Sequence, residues 1–278
     1  MKFGDSGKPA DIQYAGLSGI TQECINGVLR LIQFGDRITI ARILSCQHSH
    51  GLLLTINTGD FVGVKTGFGS GYSGEGSRGL SFVLQLLEFH GAEIEEFDVK
   101  EGFLDRLDSC ALTGRDLAVI DQARPIRPTR WHSYLLSDER GRRKTGALWD
   151  EFPRVMPFSL IDSRMADLAL RFLERADDNL LVGYRRLEDI VRNRIGAEDH
   201  GAKLFSKAFV GPKAILGWKD LDEAESAGRA NLFVGAYLAF RNPRAHRELQ
   251  YSDCGALMEF LLLNQLYLLE ANAIERPA

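Results

Sequence analysis

Arg241, Asn242 and His246 are the residues whose types and spacing best suit chemistry on a phosphate. Arginine presents a planar fork of donors to phosphate oxygens. Histidine is the side chain most readily set to move a proton near neutral pH. In one straight helix the two would lie about 140° apart around the axis and point away from each other. Pro243 offers a way round this. The residue before a proline is pushed out of the helical region, so a helix is expected to stop near Arg241. Asn242 would then cap, and Pro243 open, a new helical turn. Arg241 would hang off one helix end, His246 would sit in the first turns of the next, and both could meet one anion. Near a helix N-terminus the macrodipole disfavours imidazolium, which leaves neutral imidazole available as a base. The bland reading of the same residues is an arginine capping helix carbonyls and a structural histidine.

Arg241-x4-His246, with polar Asn242 directly after the arginine, resembles the R-x(4–6)-H signature of the HEPN superfamily. The ordered blocks before it (residues 204–216, then Glu225-Ser226-Ala227-Gly228, then residues 231–236) are similar to its Ymh-type branch. The likeness covers roughly residues 165–275 and leaves the first 160 residues outside it. It implies an all-helical, HEPN-like bundle and a homodimer that brings two R-x4-H motifs together. For active members it also implies metal-independent endoribonuclease activity with no cofactor. Many such relatives serve in toxin–antitoxin or phage-defence systems, so RNA and an antitoxin or phage-derived trigger are the implied partners. On this scheme the RNA 2′-hydroxyl attacks the adjacent phosphate and leaves a 2′,3′-cyclic phosphate. His246 moves protons, Arg241 stabilises charge on the phosphoryl oxygens, and Asn242 orients the phosphate or the imidazole. Two proton transfers ask for two histidines, which a symmetric dimer supplies. Arg185, Arg186, Arg192, Arg244 and Arg247 are the candidates to grip RNA. For the group near 185–194 a solvated helix face is an equal reading.

The elements that must position these residues come from the rest of the chain. Its 278 residues suffice for two domains. Apolar content of 45% and charged content of 26% fit a folded protein. A net charge of −4 supplies no global basic field for nucleic acid. The first residues lack the apolar core of a signal peptide, and residues 256–273 carry Glu259, Asn264, Gln265 and Glu270, a poor membrane span. A cytoplasmic protein with no membrane partner is expected. Cys24, Cys46, Cys110 and Cys254 show no metal-ligand spacing and read as free, mostly buried thiols.

Residues 1–160 are expected to form an α+β sensor or regulatory domain. A helix is expected over residues 18–34, with Thr21 as a possible cap. A strand follows near residues 37–44, and Asn57-Thr58-Gly59-Asp60 signals a hairpin. Residues 66–79 are glycine-rich and lead into a helical run from Leu80. Strand, glycine loop, helix is the layout of a phosphate-cradling turn. Gly69, Gly71, Gly74, Gly76 and Arg78 would be its ligand contacts. There is no Gly-Lys-Ser/Thr, and a flexible surface loop is the favoured reading. Cys46, His48 and His50 at period two could share a strand face, but no fourth zinc ligand is spaced to join them. The acidic block 88–108 reads as a solvated face. Leu117–Ile120 reads as a short strand, and residues 124–132 as an extended connector. A basic group at Arg140, Arg142, Arg143 and Lys144 reads as a solvated turn, with a nucleic-acid grip as the alternative.

Residues 149–161, with Pro153 and Pro157, form the expected boundary, and 162–278 the helical domain. One long helix is expected from Asp162 or Ser163 through Ile195, a second over 199–209, a third opening at Asp222 or Ser226, and a last one capped by Asp253. The last is apolar nearly all round, so it belongs at the bundle centre or a subunit interface.

Overall fold

The computed structural model describes residues 8–57, 59–135, 149, 152–246 and 253–276. The chain divides into two compact units, Met1–Pro153 and Arg154–Ala278.

The first unit runs β1 (Gln13–Ala15), α1 (Thr21–Gln33), β2 (Ile38–Cys46), β3 (Ser49–Ile56), β4 (Asp60–Gly69), α2 (Glu75–His90), β5 (Glu93–Asp98), α3 (Glu101–Asp108) and α4 (Gly114–Gln122). The strands form one mixed sheet in the order β1-β4-β3-β2-β5. β2, β3 and β4 are an antiparallel meander, while β1 joins β4 and β5 joins β2 in parallel. The run Leu52-Leu53-Leu54 explains the layering. Successive strand residues face opposite ways, and Leu52 and Leu54 enter a core with α1 and α2 while Leu53 enters another with α3 and α4. Both sheet faces are therefore covered, which is why three leucines follow one another without a polar residue between them.

Several local expectations are corrected here. Thr21 is not the α1 cap; Ile20 holds that position, and the Thr21 hydroxyl donates to the Gly67 carbonyl at 2.6 Å. Leu117–Ile120 lies in α4, because Thr113 and Asp116 form a reciprocal capping box that starts a helix there. Cys46, His48 and His50 do not share a strand. The chain turns at Gln47, with φ of 54°, so Cys46 ends β2 and His50 belongs to β3. Among the described residues no three His, Cys, Asp or Glu side chains gather as metal ligands would. The thiols are free, but only Cys24 is buried; Cys110 and Cys254 are exposed.

α2 packs on α1 through Gly79. A Cβ there would fall 2.2 Å from Thr21 Cγ2. Gly79→Ala is therefore expected to push the two helices apart and cost about 1–3 kcal/mol, read as a lower urea midpoint with unchanged slope.

Among its described residues the second unit is helical apart from one short ladder. It contains α5 (Ala166–Leu170), α6 (Ala176–Ile195), α7 (Gly201–Phe209), β6 (Leu216–Gly217), α8 (Glu223–Ala236), a π-helical turn (Tyr237–Arg241), α9 (Asn242–His246), α10 (Asp253–Ala271) and β7 (Ile274–Glu275). β6 and β7 pair antiparallel, which the sequence reading did not anticipate. The single long helix expected from Asp162 is interrupted after Leu170. The Asn179 amide donates to the Arg171 carbonyl at 2.9 Å and takes the place of a helical partner. Asp222 caps α8 with a capping box to Glu225.

α10 lies among the other helices and supplies Ala256, Phe260, Leu263, Leu266 and Tyr267 to the core. Its span Cys254–Ala271 is long and apolar enough to cross a membrane by length and composition, and half of it is buried inside this unit. Facing it, Phe205, Phe209, Trp218, Phe233 and Tyr237 form a continuous aromatic cluster.

Buried charge is compensated at the edges of this core. Glu270 receives Arg164 and Arg194, each at 2.6 Å, and Arg164 also grips Asp162 at 2.8 Å. The Arg164 guanidinium holds the Asp162 carboxyl below the ordinary aspartate range. A depressed folded-state pKa contributes stability above the unfolded value and loses it as pH falls through the folded value. Acid titration is thus expected to destabilise this unit below about pH 4, with a shallower loss in Asp162→Asn.

Candidate functional site

The path through Arg241, Asn242 and Pro243 differs from the expectation. Asn242 has φ of −64° and ψ of −48°, fully helical, so it is not an N-cap and no break occurs there. The turn before it is widened instead. The Asn242 N–H reaches back five residues to the Tyr237 carbonyl. A proline inside a regular α-helix clashes with the carbonyl four residues earlier and leaves it unpaired. The π turn opens the backbone ahead of Pro243 and accommodates it without ending the helix. The break that would have freed Arg241 and His246 to converge within one chain is therefore absent. His246 is the last residue of α9; its side chain lies outside the described residues, as do Arg247 and the group from Arg140 to Lys144.

Arg241 is half-buried and points back at α6. Its Nε lies 3.1 Å from Glu188 Oε1, and Arg192 lies 3.7 Å from Glu188 Oε2. Glu188 is 4% exposed. The pair is close enough for charge but misaligned as a hydrogen bond, since Arg241 Nε and Glu188 Oε1 are buried without hydrogen-bond partners among the described residues. Beneath them the Tyr237 hydroxyl donates to the Tyr184 carbonyl at 2.6 Å. Burial, with the Glu188 charge in support, drives the Tyr237 phenol far above its usual pKa.

The other arginines proposed for RNA fare differently. Arg244 is locked between Asp177 and the buried Glu259. Arg186 grips both carboxylate oxygens of Asp167 at 2.9 Å and the Arg164 carbonyl. Arg192 binds Asp189, the Asp199 carbonyl and His200. Arg185 is exposed on α6 and has no ion-pair partner among the described residues. So the structure gathers Arg241, Arg192 and Glu188, holds Arg244 apart on Glu259, and leaves Arg185 toward solvent.

Glu188 and Glu259 were missed by sequence reasoning. Each had a signal. Glu188 sits between Tyr184, Leu187 and Val191 on the apolar stripe of α6, and Glu259 sits beside Phe260 on α10. A carboxylate on an apolar face needs a cation, and Arg241 and Arg244 are those cations.

The glycine-rich stretch is shorter than expected. β4 runs through Gly69 and α2 opens at Glu75, so the loop is only residues 70–74. Its glycines make room for a side chain of the loop itself. A Cβ on Gly69, Gly74 or Gly76 would strike the Tyr72 ring or hydroxyl at 2.3–2.8 Å. Gly71, with φ of +80°, takes a conformation that favours glycine and lies against His48. Arg78 lies exposed in the first turns of α2.

Residues 174–268 match the model of a family described as protein of unknown function (Hypoth_ymh). The C-terminal unit thus carries a Ymh-type domain. The comparison with curated proteins gives no match. Among solved structures, a chain of respiratory complex I from Thermus thermophilus is 22% identical over 45% of this chain and all of that chain, with a TM-score of 0.35. A likeness at that level does not define a shared fold.

Proposed function

We propose that the C-terminal unit is a HEPN-like domain that works as a homodimer and cleaves RNA without a metal, in a cytoplasmic toxin or phage-defence system. Arg241 stabilises charge on the phosphate, Asn242 orients it, and His246 moves the proton. The observation that carries this reading is the state of Arg241. Arg186, Arg192 and Arg244 spend their donors on carboxylates and carbonyls. Among the described residues Arg241 is held by one charge contact, and its buried Nε–H has no hydrogen-bond acceptor. A buried donor without an acceptor is costly, and a phosphate oxygen is an acceptor it can take. Because the helix is not broken at Asn242, the histidine acting with a given Arg241 would come from the second protomer. The N-terminal unit senses the trigger, recruits RNA or restrains the site.

RNA incubated with the full chain in EDTA tests the chemistry through its product ends. Cyclic-phosphate and 5′-hydroxyl ends are expected, and 3′-hydroxyl with 5′-phosphate ends would contradict the mechanism.

The second reading is a non-catalytic dimeric module for RNA, nucleotide or protein. The unbroken helix favours it, since one chain does not bring Arg241 and His246 together by the expected route. RNA binding without cleavage by a dimer would select it.

A further inference from the structure

The N-terminal unit contains a row of polar side chains that none of the foregoing uses. It crosses four neighbouring strands. Ser70 at the end of β4, His50 on β3, Ser45 on β2 and Glu96 on β5 follow the sheet order. Ser70 Oγ lies 2.7 Å from His50 Nε2, His50 Nδ1 lies 2.8 Å from Ser45 Oγ, and Ser45 Oγ donates to Glu96 Oε1 at 2.6 Å. His50 is fully buried, Glu96 2% exposed and Ser70 9% exposed.

The direction of every proton follows from the far end. Glu96 Oε1 also receives Arg130 at 2.9 Å and the Tyr134 hydroxyl at 2.8 Å, so the carboxylate acts as acceptor. Ser45 spends its hydrogen on Glu96 and must accept from His50. His50 therefore carries its proton on Nδ1, and its Nε2 lone pair faces Ser70. Ser70 then donates its hydroxyl hydrogen to that lone pair. This is the relation of a nucleophile to its general base, with the base oriented by a third group. Burial lowers the His50 pKa to about 4 against the opposing pull of Glu96, so the ring is neutral at physiological pH. Glu96 Oε2 is buried with no hydrogen-bond partner among the described residues. Its charge is thus incompletely spent and can stabilise an imidazolium formed at His50.

Ser70, 9% exposed, is the member of the row nearest solvent. It lies on the turn between β4 and α2, and its chain neighbours Gly67, Phe68, Tyr72, Glu75 and Gly76 line a cleft of about 360 Å³. The amides of Gly71 and Tyr72 donate to no group among the described residues, which leaves them for a developing oxyanion.

We propose that Ser70 is a nucleophile, with His50 as its base and Ser45 and Glu96 as positioning residues, and that it takes acyl groups from small carboxylic esters. Ser70 Oγ bonds to the carbonyl carbon while its proton passes to His50 Nε2. The ester C–O bond breaks, and His50 returns the proton to the departing alkoxide. Water then attacks acyl-Ser70 with the same base and releases the acid.

The test is labelling of the full chain by diisopropyl fluorophosphate, in which an O–P bond forms at Ser70, fluoride leaves and the proton goes to His50. One adduct mapping to Ser70 is expected, with none in Ser70→Ala. Ser45→Ala loses some stability with its buried hydrogen bonds and, assayed where it is still folded, is labelled about tenfold more slowly or worse. p-Nitrophenyl acetate turnover should disappear in Ser70→Ala and fall in Ser45→Ala. An unlabelled wild type under excess reagent, or an adduct that persists in Ser70→Ala, overturns the proposal. Equal labelling of wild type and Ser45→Ala, both folded, overturns the relay.

Discussion

Arg241→Ala is expected to abolish RNA cleavage, a loss of at least about 10²-fold, and also to weaken the C-terminal unit. The two effects have different causes. Cleavage falls because the guanidinium no longer meets the charge that builds on the phosphoryl oxygens. Stability falls because Glu188 stays buried and, among the described residues, keeps only Arg192 at 3.7 Å to compensate it. Removing one partner of a buried pair costs about 3 kcal/mol or more. A double variant separates the causes. Arg241→Ala with Glu188→Gln removes the stranded charge and should recover most of the lost stability, while cleavage stays lost. Coupling of this kind is what a double-mutant cycle measures. Arg241→Lys should keep the charge pair and much of the stability, yet cleave poorly, because a point charge does not reproduce the planar fork. Urea melts and cleavage rates on these variants, on Glu188→Gln alone and on wild type read both quantities. A double variant as unstable as Arg241→Ala would show that Glu188 is not held by Arg241.

Phe233→Ala is expected to cost about 3–5 kcal/mol, which takes a large share of a small unit's stability. Phe233 is fully buried on α8. Its ring stands 4.6 Å from Phe209, 5.5 Å from Phe205 and 6.3 Å from Trp218, centroid to centroid. Truncation removes apolar area and opens a cavity walled by α7 and by the segment that carries Trp218, so collapse does not readily refill it. Trp218 is tied to the Leu269 carbonyl through its indole N–H at 2.8 Å, which holds one wall in place. Phe233→Leu keeps most of the volume and should lose far less. Tryptophan fluorescence during urea unfolding follows the loss at Trp218, and a midpoint within error of wild type would contradict this packing.

Much of the architecture was legible in the residues. The hairpin at Asn57–Asp60 was readable because a turn sequence between apolar runs has few other solutions, and the capped start of α8 at Asp222 because a side-chain acceptor three residues before a glutamate acts locally. What misled was competition between local rules and context. Leu117–Ile120 is too short and apolar to show its period, and the deciding signal lay upstream in the Thr113–Asp116 box. Pro243 was read as a helix stop, but a proline can also be absorbed by a π turn, which sequence does not announce. The glycine-rich stretch reads as a flexible surface loop, with a ligand cradle as the alternative, and three of its glycines, Gly69, Gly74 and Gly76, make room for Tyr72. For the candidate site, Arg241, Asn242 and His246 are proposed from residue type and spacing. Glu188 was not legible, because its helical stripe reads as apolar and its partner lies 53 residues away on another helix. The Ser70–His50–Ser45–Glu96 row was equally hidden. Its members are single polar residues on three strands and on the turn that follows a fourth, and only the sheet order brings them into line.

The most direct measurement is cleavage of a defined RNA in EDTA by the full chain and by His246→Ala, with dimer content and melting followed in parallel. The account predicts cyclic-phosphate ends from the wild type and no cleavage from a folded, dimeric His246→Ala. Undiminished cleavage by that variant, or no cleavage by a dimeric wild type in the presence of its trigger, would contradict it.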